Sequence, residues 1–305
     1  MIVTEIKLGD LITKIYTYTE CLGCDGTIIG DETCTEKPGD FECYIQPNED
    51  RRCFCSNKKY YEGITKDIFI TCIPLYNLLA ITHLNGNKIF IKVDKGSVTK
   101  KTYYIIRSLI RKHIIRLIFR KNYVVFHASS LYIPNCNKGV LIIGRSGSGK
   151  SSFLWYMLNN TNATMCSDDV NVVSMDTDLI SGNGENIFVG PDFFKFNKVL
   201  KMEFVEVSPG RKIEIILPDA KKQVYKFKPN FIYILKPDHN EKIDELSEAD
   251  AVSEIENCHK FWLYDDYEYN KMAMYTRYLC SNAKATVTFG LNDNNLYKIK
   301  QLLSN

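Results

Sequence analysis

The chain has 305 residues, of which 45% are hydrophobic and 25% charged, and its formal net charge is +3. This composition is typical of a folded globular protein and excludes a largely disordered chain, and so small a net charge gives no reason to expect nucleic-acid binding. The charge is unevenly distributed, because Lys95 to Ser167 contains twelve basic and no acidic residues. That segment favours an anionic ligand.

The first residues show no basic stretch followed by a long apolar core. We therefore expect no secretory signal and a cytoplasmic location. A long apolar stretch from Tyr103 to Phe126 is interrupted by six Arg and Lys residues, so we expect no transmembrane segment.

Residues 1–102 consist of short apolar runs separated by turn-forming residues. Examples are the runs 67–72 and 88–93, with Asn85, Gly86 and Asn87 before the second run. This pattern predicts a small β-rich, cysteine-containing N-terminal module over residues 1–102.

The N-terminal module is rich in cysteine, since seven of the eleven cysteines lie in it: Cys21, Cys24, Cys34, Cys43, Cys53, Cys55 and Cys72. Two close pairs, Cys21 with Cys24 and Cys53 with Cys55, have spacings seen in Zn²⁺ and iron–sulfur sites. Isolated thiols are favoured over a metal site, because the two pairs match no known four-ligand pattern. Disulfides are a third interpretation, which the expected reducing cytoplasm disfavours.

One amphipathic helix is predicted from Thr102 to Lys121, where apolar residues recur every three or four positions. Most of the arginines fall on its other side. The favoured interpretation is a helix that packs on the core with a solvated basic face, and docking of an acidic peptide or a membrane surface is the alternative.

A glycine-rich loop, defined here as residues 144–151 (GRSGSGKS), lies between the apolar run 140–143 and a helix-like stretch. This order is typical of nucleotide-binding loops, whose backbone N–H groups surround phosphates. The lysine adds a positive charge and the last serine a hydroxyl for Mg²⁺. The predicted nucleotide-binding residues are Gly144, Ser146, Gly147, Ser148, Gly149, Lys150, Ser151 and Ser152.

Two adjacent carboxylates, Asp168 and Asp169, follow the loop closely and precede the apolar run 170–173. Beside a phosphate site, such a pair suits Mg²⁺ coordination and proton abstraction. His127 lies on a strand-like segment one hairpin before the loop. Antiparallel pairing would bring it beside the nucleotide-binding strand.

Beyond the loop, short apolar or alternating runs predict strands, and helical patterns return near residues 247–258, 270–281 and 292–303. A doubly wound sheet would need helices between all strands. We therefore predict an α/β fold of α+β-like character, with a mixed sheet around the loop and flanking helices.

These motifs resemble the HPr serine kinase type of P-loop protein, which is related in fold to phosphoenolpyruvate carboxykinase. The similarity runs through His127-Ala128-Ser129, the glycine-rich loop and Asp168-Asp169, in that order. It extends from Tyr103 to the C-terminus and is most specific over residues 126–173. It implies a phosphotransferase domain over residues 103–305.

The resemblance also implies roles for single residues. Asp168 would be the base that takes a proton from a serine hydroxyl, and His127 would hold and tune the acidic pair. Asp169 and Ser151 would bind Mg²⁺. The segment Ser208 to Lys212 is similar to a Pro-Gly-Arg loop of the family, which makes Arg211 a charge stabiliser for the transferring phosphate.

By this resemblance the chain is an ATP- and Mg²⁺-dependent kinase that phosphorylates a serine of a peptide or protein, with a homo-oligomer as an open possibility. The Glu-Ile-Arg-Gly segment of the sugar-regulated HPr kinases has no counterpart here. The chain looks more like divergent relatives that phosphorylate ribosomally made precursor peptides. The alternative is a non-catalytic module that senses a nucleotide or binds a partner.

Overall fold

The structure is a computed structural model of the chain. It describes residues 1–8, 10–22, 38–48, 60–182, 187–189, 193, 204–208, 212–215, 217, 221, 226–236, 242–260, 263–289 and 301. Two compact units are present, Met1–Tyr123 and Val124–Asn305. The sequence placed the boundary at residues 102 and 103, before the predicted helix, whereas the compact units divide after it.

The first unit contains a mixed sheet. Its described strands are β1 Ile2–Leu8, β2 Leu11–Thr17, β3 Phe41–Pro47, β4 Tyr61–Ile64, β5 Ile68–Ile73, β6 Leu78–His83 and β7 Lys88–Val93. They pair in the order β1-β2-β3-β7-β6-β5-β4. β3 is parallel to both of its neighbours, and the other pairs are antiparallel. The two apolar runs predicted as strands are confirmed as β5 and β7.

Helix α1, Lys100–Arg120, packs against β5, β6 and β7. Thr99 and Thr102 form a reciprocal capping box that fixes its first turn. Ile106, Ile110 and Ile118 are fully buried on the face that packs into the core. The helix predicted at residues 102–121 is therefore confirmed.

The basic residues of α1 are less solvated than the sequence predicted. The Arg116 side chain is only 1% exposed, and its guanidinium carbon lies 5.7 Å from the centre of the Phe119 ring. His113 is buried between the hydroxyls of Thr82, at 2.6 Å from Nδ1, and Thr71, at 3.1 Å from Nε2. The predicted solvated basic face therefore does not extend to Arg116, whose guanidinium packs against an aromatic ring inside the unit.

The second unit combines a larger mixed sheet, a small antiparallel sheet and helices. Its described strands are β8 Tyr123–Ile133, β9 Lys138–Gly144, β10 Thr164–Ser167, β11 Val170–Ser174, β12 Ile180–Ser181, β13 Ile187–Val189, β14 Phe204–Ser208, β15 Lys212–Ile215, β16 Pro229–Lys236, β17 Lys242–Glu245 and β18 Lys284–Phe289. Its described helices are α2 Lys150–Asn160, α3 Glu248–His259 and α4 Asp266–Asn282.

The larger sheet has the order β12-β11-β8-β9-β16-β18-β17, with β10 paired to β8. β9, β16 and β18 run parallel, whereas β8 pairs antiparallel with β9. β13, β15 and β14 form the small sheet. The prediction of a mixed α/β fold is confirmed at this level.

Helix α2 covers one face of the larger sheet. Phe153, Leu154 and Met157 pack in one core with Val140 and Ile142 of β9. Because β9 is apolar on both faces, it is buried from Gly139 onward, and its carboxyl end leads directly into the glycine-rich loop. The predicted helices at 247–258 and 270–281 are confirmed as α3 and α4, and the one at 292–303 falls almost wholly outside the described residues.

Within the described residues, no helix has both the length and the apolarity required to cross a membrane.

Candidate functional site

The glycine-rich loop connects β9 to α2 and depends on two glycines with left-handed backbone. Gly147 has φ +80° and Gly149 has φ +95°, values that residues other than glycine rarely adopt. Gly149 is also the N-cap residue of α2, and no side chain caps this helix end. The first-turn N–H groups therefore have no side-chain cap, as in an anion-binding helix terminus.

Gly144 is required for a different reason, which is close packing. A Cβ at this position would lie 2.3 Å from Ser148 Oγ and 2.8 Å from the carbonyl oxygen of Leu235. The start of the loop thus lies directly against β16 and against the loop's own serine. A residue with a Cβ at this position would force the Ser148 side chain and either the loop or β16 to shift.

Lys150 bends back over the loop. Its ammonium group donates to the carbonyl oxygens of Gly144, at 2.8 Å, and of Arg145, at 3.2 Å. The Ser148 hydroxyl is buried and has no hydrogen-bond partner within the described part of the chain. A phosphate in the loop could accept from both groups, so the loop fits an anionic ligand.

Asp168 connects the glycine-rich loop to β8. Its Oδ2 accepts a hydrogen bond from Ser151 Oγ at 3.0 Å, and its Oδ1 accepts one from Ser129 Oγ at 2.8 Å. Ser129 is fully buried in β8, and Asp168 is 7% exposed. Two hydroxyls from separate elements therefore hold both carboxylate oxygens in a fixed orientation.

Asp169 forms a second pair with His127. The imidazole Nδ1 lies 2.9 Å from Asp169 Oδ1 and 3.2 Å from the Asp169 carbonyl oxygen. The Asp169 side chain is 38% exposed, so this carboxylate faces solvent far more than that of Asp168. The backbone N–H of Ala128 also donates to the Asp169 carbonyl, which aligns the two residues with β8.

A buried histidine on α3 fixes the backbone of His127. His259 Nε2 accepts from the His127 backbone N–H at 3.0 Å, which leaves Nδ1 to donate to the Ile255 carbonyl at 2.8 Å. Burial lowers the pKa of His259 to about 4, and the neighbouring His127 and Lys150 side chains act in the same direction. The imidazole is therefore neutral and of one tautomer at neutral pH.

The structure brings together most of the residues singled out in the sequence. His127, Asp168, Asp169 and the glycine-rich loop lie at one end of the sheet. The carboxylate that Ser151 contacts is that of Asp168, whereas the resemblance grouped Ser151 with Asp169. Arg211 lies outside the described residues. Ser129 and His259, which the sequence analysis did not assign, complete the contacts.

Ser151 and Asp168 supply hydroxyl and carboxylate oxygens, the ligands that Mg²⁺ prefers. Both oxygens could bind a metal ion that contacts a phosphate in the loop. Within the described residues, no group of three or more His, Cys, Asp or Glu side chains is placed to hold a metal. Any Mg²⁺ here would therefore depend on phosphate and water oxygens as well, as is usual for this ion.

Of the N-terminal cysteines, Cys24, Cys34, Cys53 and Cys55 lie outside the described residues. Cys21 is buried, and its thiol donates to the Ile45 carbonyl at 3.7 Å. Burial raises the pKa of Cys21 to about 11, with a further contribution from Glu20. This thiol is therefore protonated at neutral pH.

No family model matches the chain, and no curated protein matches it either. Among solved structures, the chain matches an HPr(Ser) kinase/phosphatase from Coxiella burnetii at 14% sequence identity and a TM-score of 0.29. The match covers 59% of this chain and 94% of that chain. This is a distant structural resemblance, from which we infer nothing about activity.

Proposed function

We propose that residues 124–305 transfer the γ-phosphoryl group of ATP to a serine hydroxyl of a peptide or protein. The observation that supports this most strongly is the linked set Ser129–Asp168–Ser151 beside the glycine-rich loop. Phosphoryl transfer requires a phosphate site, oxygen ligands for a metal and a base near the acceptor. The described residues supply a candidate for each of them.

The glycine-rich loop is the proposed phosphate site. Lys150 would exchange its bonds to the Gly144 and Arg145 carbonyls for bonds to phosphate oxygens, which carry full negative charge. Ser148 and the first-turn N–H groups of α2 would add further donors. Positioning of the phosphates by fixed donors is the main contribution that a protein makes to this reaction.

Ser151 and Asp168 are the proposed Mg²⁺ ligands. Their side-chain oxygens already lie 3.0 Å apart, and Asp168 is held from its other side by Ser129. Bound Mg²⁺ neutralises negative charge on the terminal phosphates. This proposal exchanges the two carboxylate roles that the resemblance implied, because the contact with Ser151 belongs to Asp168.

Asp169 is then the proposed base. Its carboxylate is the more exposed of the pair, so a protein substrate could reach it, and His127 orients it at 2.9 Å. The carboxylate would accept the proton of the serine hydroxyl as the serine oxygen attacks the γ-phosphorus and the bond to the bridging oxygen of ADP breaks. Arg211 remains a proposed stabiliser of the transferring phosphoryl group.

Transfer of label from γ-labelled ATP to a library of serine-containing peptides tests this function. We expect Mg²⁺-dependent phosphoserine from the wild-type protein and from a Lys228→Ala control, but none from Lys150→Ala. Lys228 is an exposed lysine far from the loop in sequence. ATP binding without label on any acceptor would instead favour a non-catalytic nucleotide-binding module, and absence of ATP binding would contradict both.

A further inference from the structure

Lys236 lies at the same edge of the sheet as the glycine-rich loop. It is the last residue of β16, which runs parallel to β9, and the preceding residue Leu235 pairs with Gly144. Ligands of open α/β sheets bind beyond the carboxyl ends of parallel strands. The β16 terminus therefore delivers a lysine to the edge from which the loop departs, on the side of β9 opposite to β8.

Glu254 of α3 forms an ion pair with Lys236. The two side chains are 36% and 29% exposed, so the pair is partly solvated rather than sealed in the core. Partly exposed ion pairs contribute little to stability, and a polyanion can replace the carboxylate at low cost. At its last turn, the same helix is fixed to β8 through His259 and the His127 backbone.

The pKa of the Cys258 thiol, one helical turn after Glu254, is affected by the charged groups around it. Burial raises its pKa first and Glu254 raises it further, while Lys150, Arg145 and Lys236 all lower it. One sulfur atom therefore lies within electrostatic reach of the loop lysine, the loop arginine and Lys236. The positive charge at this edge of the sheet is more than the loop alone provides.

We propose that Lys236 is a second phosphate-binding cation of the nucleotide site and that Glu254 occupies it until a polyphosphate displaces the carboxylate. This inference rests on the proposed nucleotide binding and adds a competing internal anion to it. Glu254 would thus weaken binding in two ways, by holding Lys236 and by repelling the incoming phosphates. The ligand class is a nucleoside polyphosphate, recognised here through its phosphate chain.

A double-mutant cycle with Lys236→Gln and Glu254→Gln tests the exchange. Dissociation constants for ATP and for inorganic tripolyphosphate would be measured by calorimetry at constant ionic strength. We expect Lys236→Gln to weaken both ligands about 10-fold and Glu254→Gln to tighten both about 3-fold, as for a charged hydrogen bond gained or released. The double variant should bind more tightly than Lys236→Gln, because the repulsion by Glu254 is also removed, but more weakly than Glu254→Gln, because the lysine is absent.

The matched controls are Lys284→Gln and Glu245→Gln, which break another ion pair of the same sheet, 3.0 Å long and 50% and 65% exposed. They should leave both dissociation constants unchanged. Thermal midpoints show whether each variant is folded. If Lys236→Gln does not fold, the affinity of Glu254→Gln for the two ligands decides the test.

If the wild-type protein binds ATP, each of the following results would overturn the inference. Unchanged affinity in Lys236→Gln would show that this lysine does not bind phosphate, and unchanged affinity in Glu254→Gln would show that the carboxylate does not compete with it. An effect on ATP but not on tripolyphosphate would assign Lys236 to the nucleoside. If the wild-type protein bound no ATP at all, the proposed function would fall together with this inference.

Discussion

The hydroxyl of Ser151, on the first turn of α2, donates to Oδ2 of Asp168 at 3.0 Å. This contact joins the glycine-rich loop to the acidic pair that follows β10, and it places Asp168 next to the last serine of the loop. The chemistry proposed for the second unit depends on this relationship.

Replacement of Lys150 should strongly weaken nucleotide binding. Two hydrogen bonds from a charged donor to phosphate are worth about 1.5–3 kcal/mol each, so Lys150→Ala should weaken ATP binding at least about 100-fold. Thermal unfolding with and without Mg²⁺ and ATP measures this by linkage. A thermal shift by ATP that is equal in Lys150→Ala, Lys228→Ala and the wild type would contradict the nucleotide assignment.

Replacement of Asp168 should weaken Mg²⁺-dependent binding, whereas replacement of Asp169 should not. Asp168→Asn removes the charge of the carboxylate that contacts Ser151. We expect ATP affinity to fall about 10-fold in Mg²⁺ and to change little in EDTA. Calorimetry on both variants checks this. Loss of Mg²⁺ dependence in Asp169→Asn alone would restore the roles implied by the sequence resemblance.

Removal of the Ser129 hydroxyl should disturb the same carboxylate. Ser129→Ala deletes a 2.8 Å hydrogen bond to the buried side-chain carboxyl group of Asp168, which should lower the free energy of unfolding by about 1–2 kcal/mol. Because Asp168 would lose a fixed orientation, Mg²⁺-dependent ATP affinity should fall as well. Urea unfolding and calorimetry measure the two effects, with the exposed Ser253→Ala as control. Unchanged Mg²⁺ dependence would show that Ser129 only stabilises the fold.

The stability of the second unit should depend on pH through His259. Its pKa is about 4 in the folded protein and about 6.5 when unfolded, so the unfolded state binds more protons between these values. The contribution, about 3 kcal/mol at most, is complete above the unfolded pKa and is lost as the pH falls towards 4. His259→Gln should therefore flatten the pH dependence of urea unfolding in this window.

The control for this prediction is His83→Gln, since His83 is an exposed histidine on β6. It should leave the pH profile as in the wild type. If His259→Gln and the wild type lost stability equally between about pH 6.5 and pH 4, the buried neutral imidazole would not be the cause.

The glycine-rich loop was predictable because strand, loop and helix are contiguous in the chain. Gly147 and Gly149 are needed for the local backbone conformation, so the residue types alone indicate the loop. His259 was not predictable in the same way. It contacts His127 across 132 residues, and a single histidine on a helix has no periodic or spacing signal.

Which of the two aspartates contacts Ser151 was also not predictable from the sequence. The two adjacent carboxylates differ by only one residue in their spacing from the loop, and which one faces Ser151 depends on the strand register. β10 pairs with β8 through a register shift between Met165 and Ser167, immediately before Asp168. Such an irregularity changes the direction of the following side chains, and residue type alone does not encode it. The buried Arg116 of α1 likewise depended on tertiary packing.

The most direct test of the proposed transfer is the rate of phosphoserine formation at saturating ATP and Mg²⁺ in wild type and Asp169→Asn. A serine peptide selected from the library would serve as acceptor. We expect Asp169→Asn to lose at least about 100-fold in rate while ATP affinity stays within about 2-fold, since a general base acts on the acceptor and not on the bound phosphates. Wild-type turnover by Asp169→Asn, or no phosphoserine from a wild-type protein that binds ATP, would contradict the proposal.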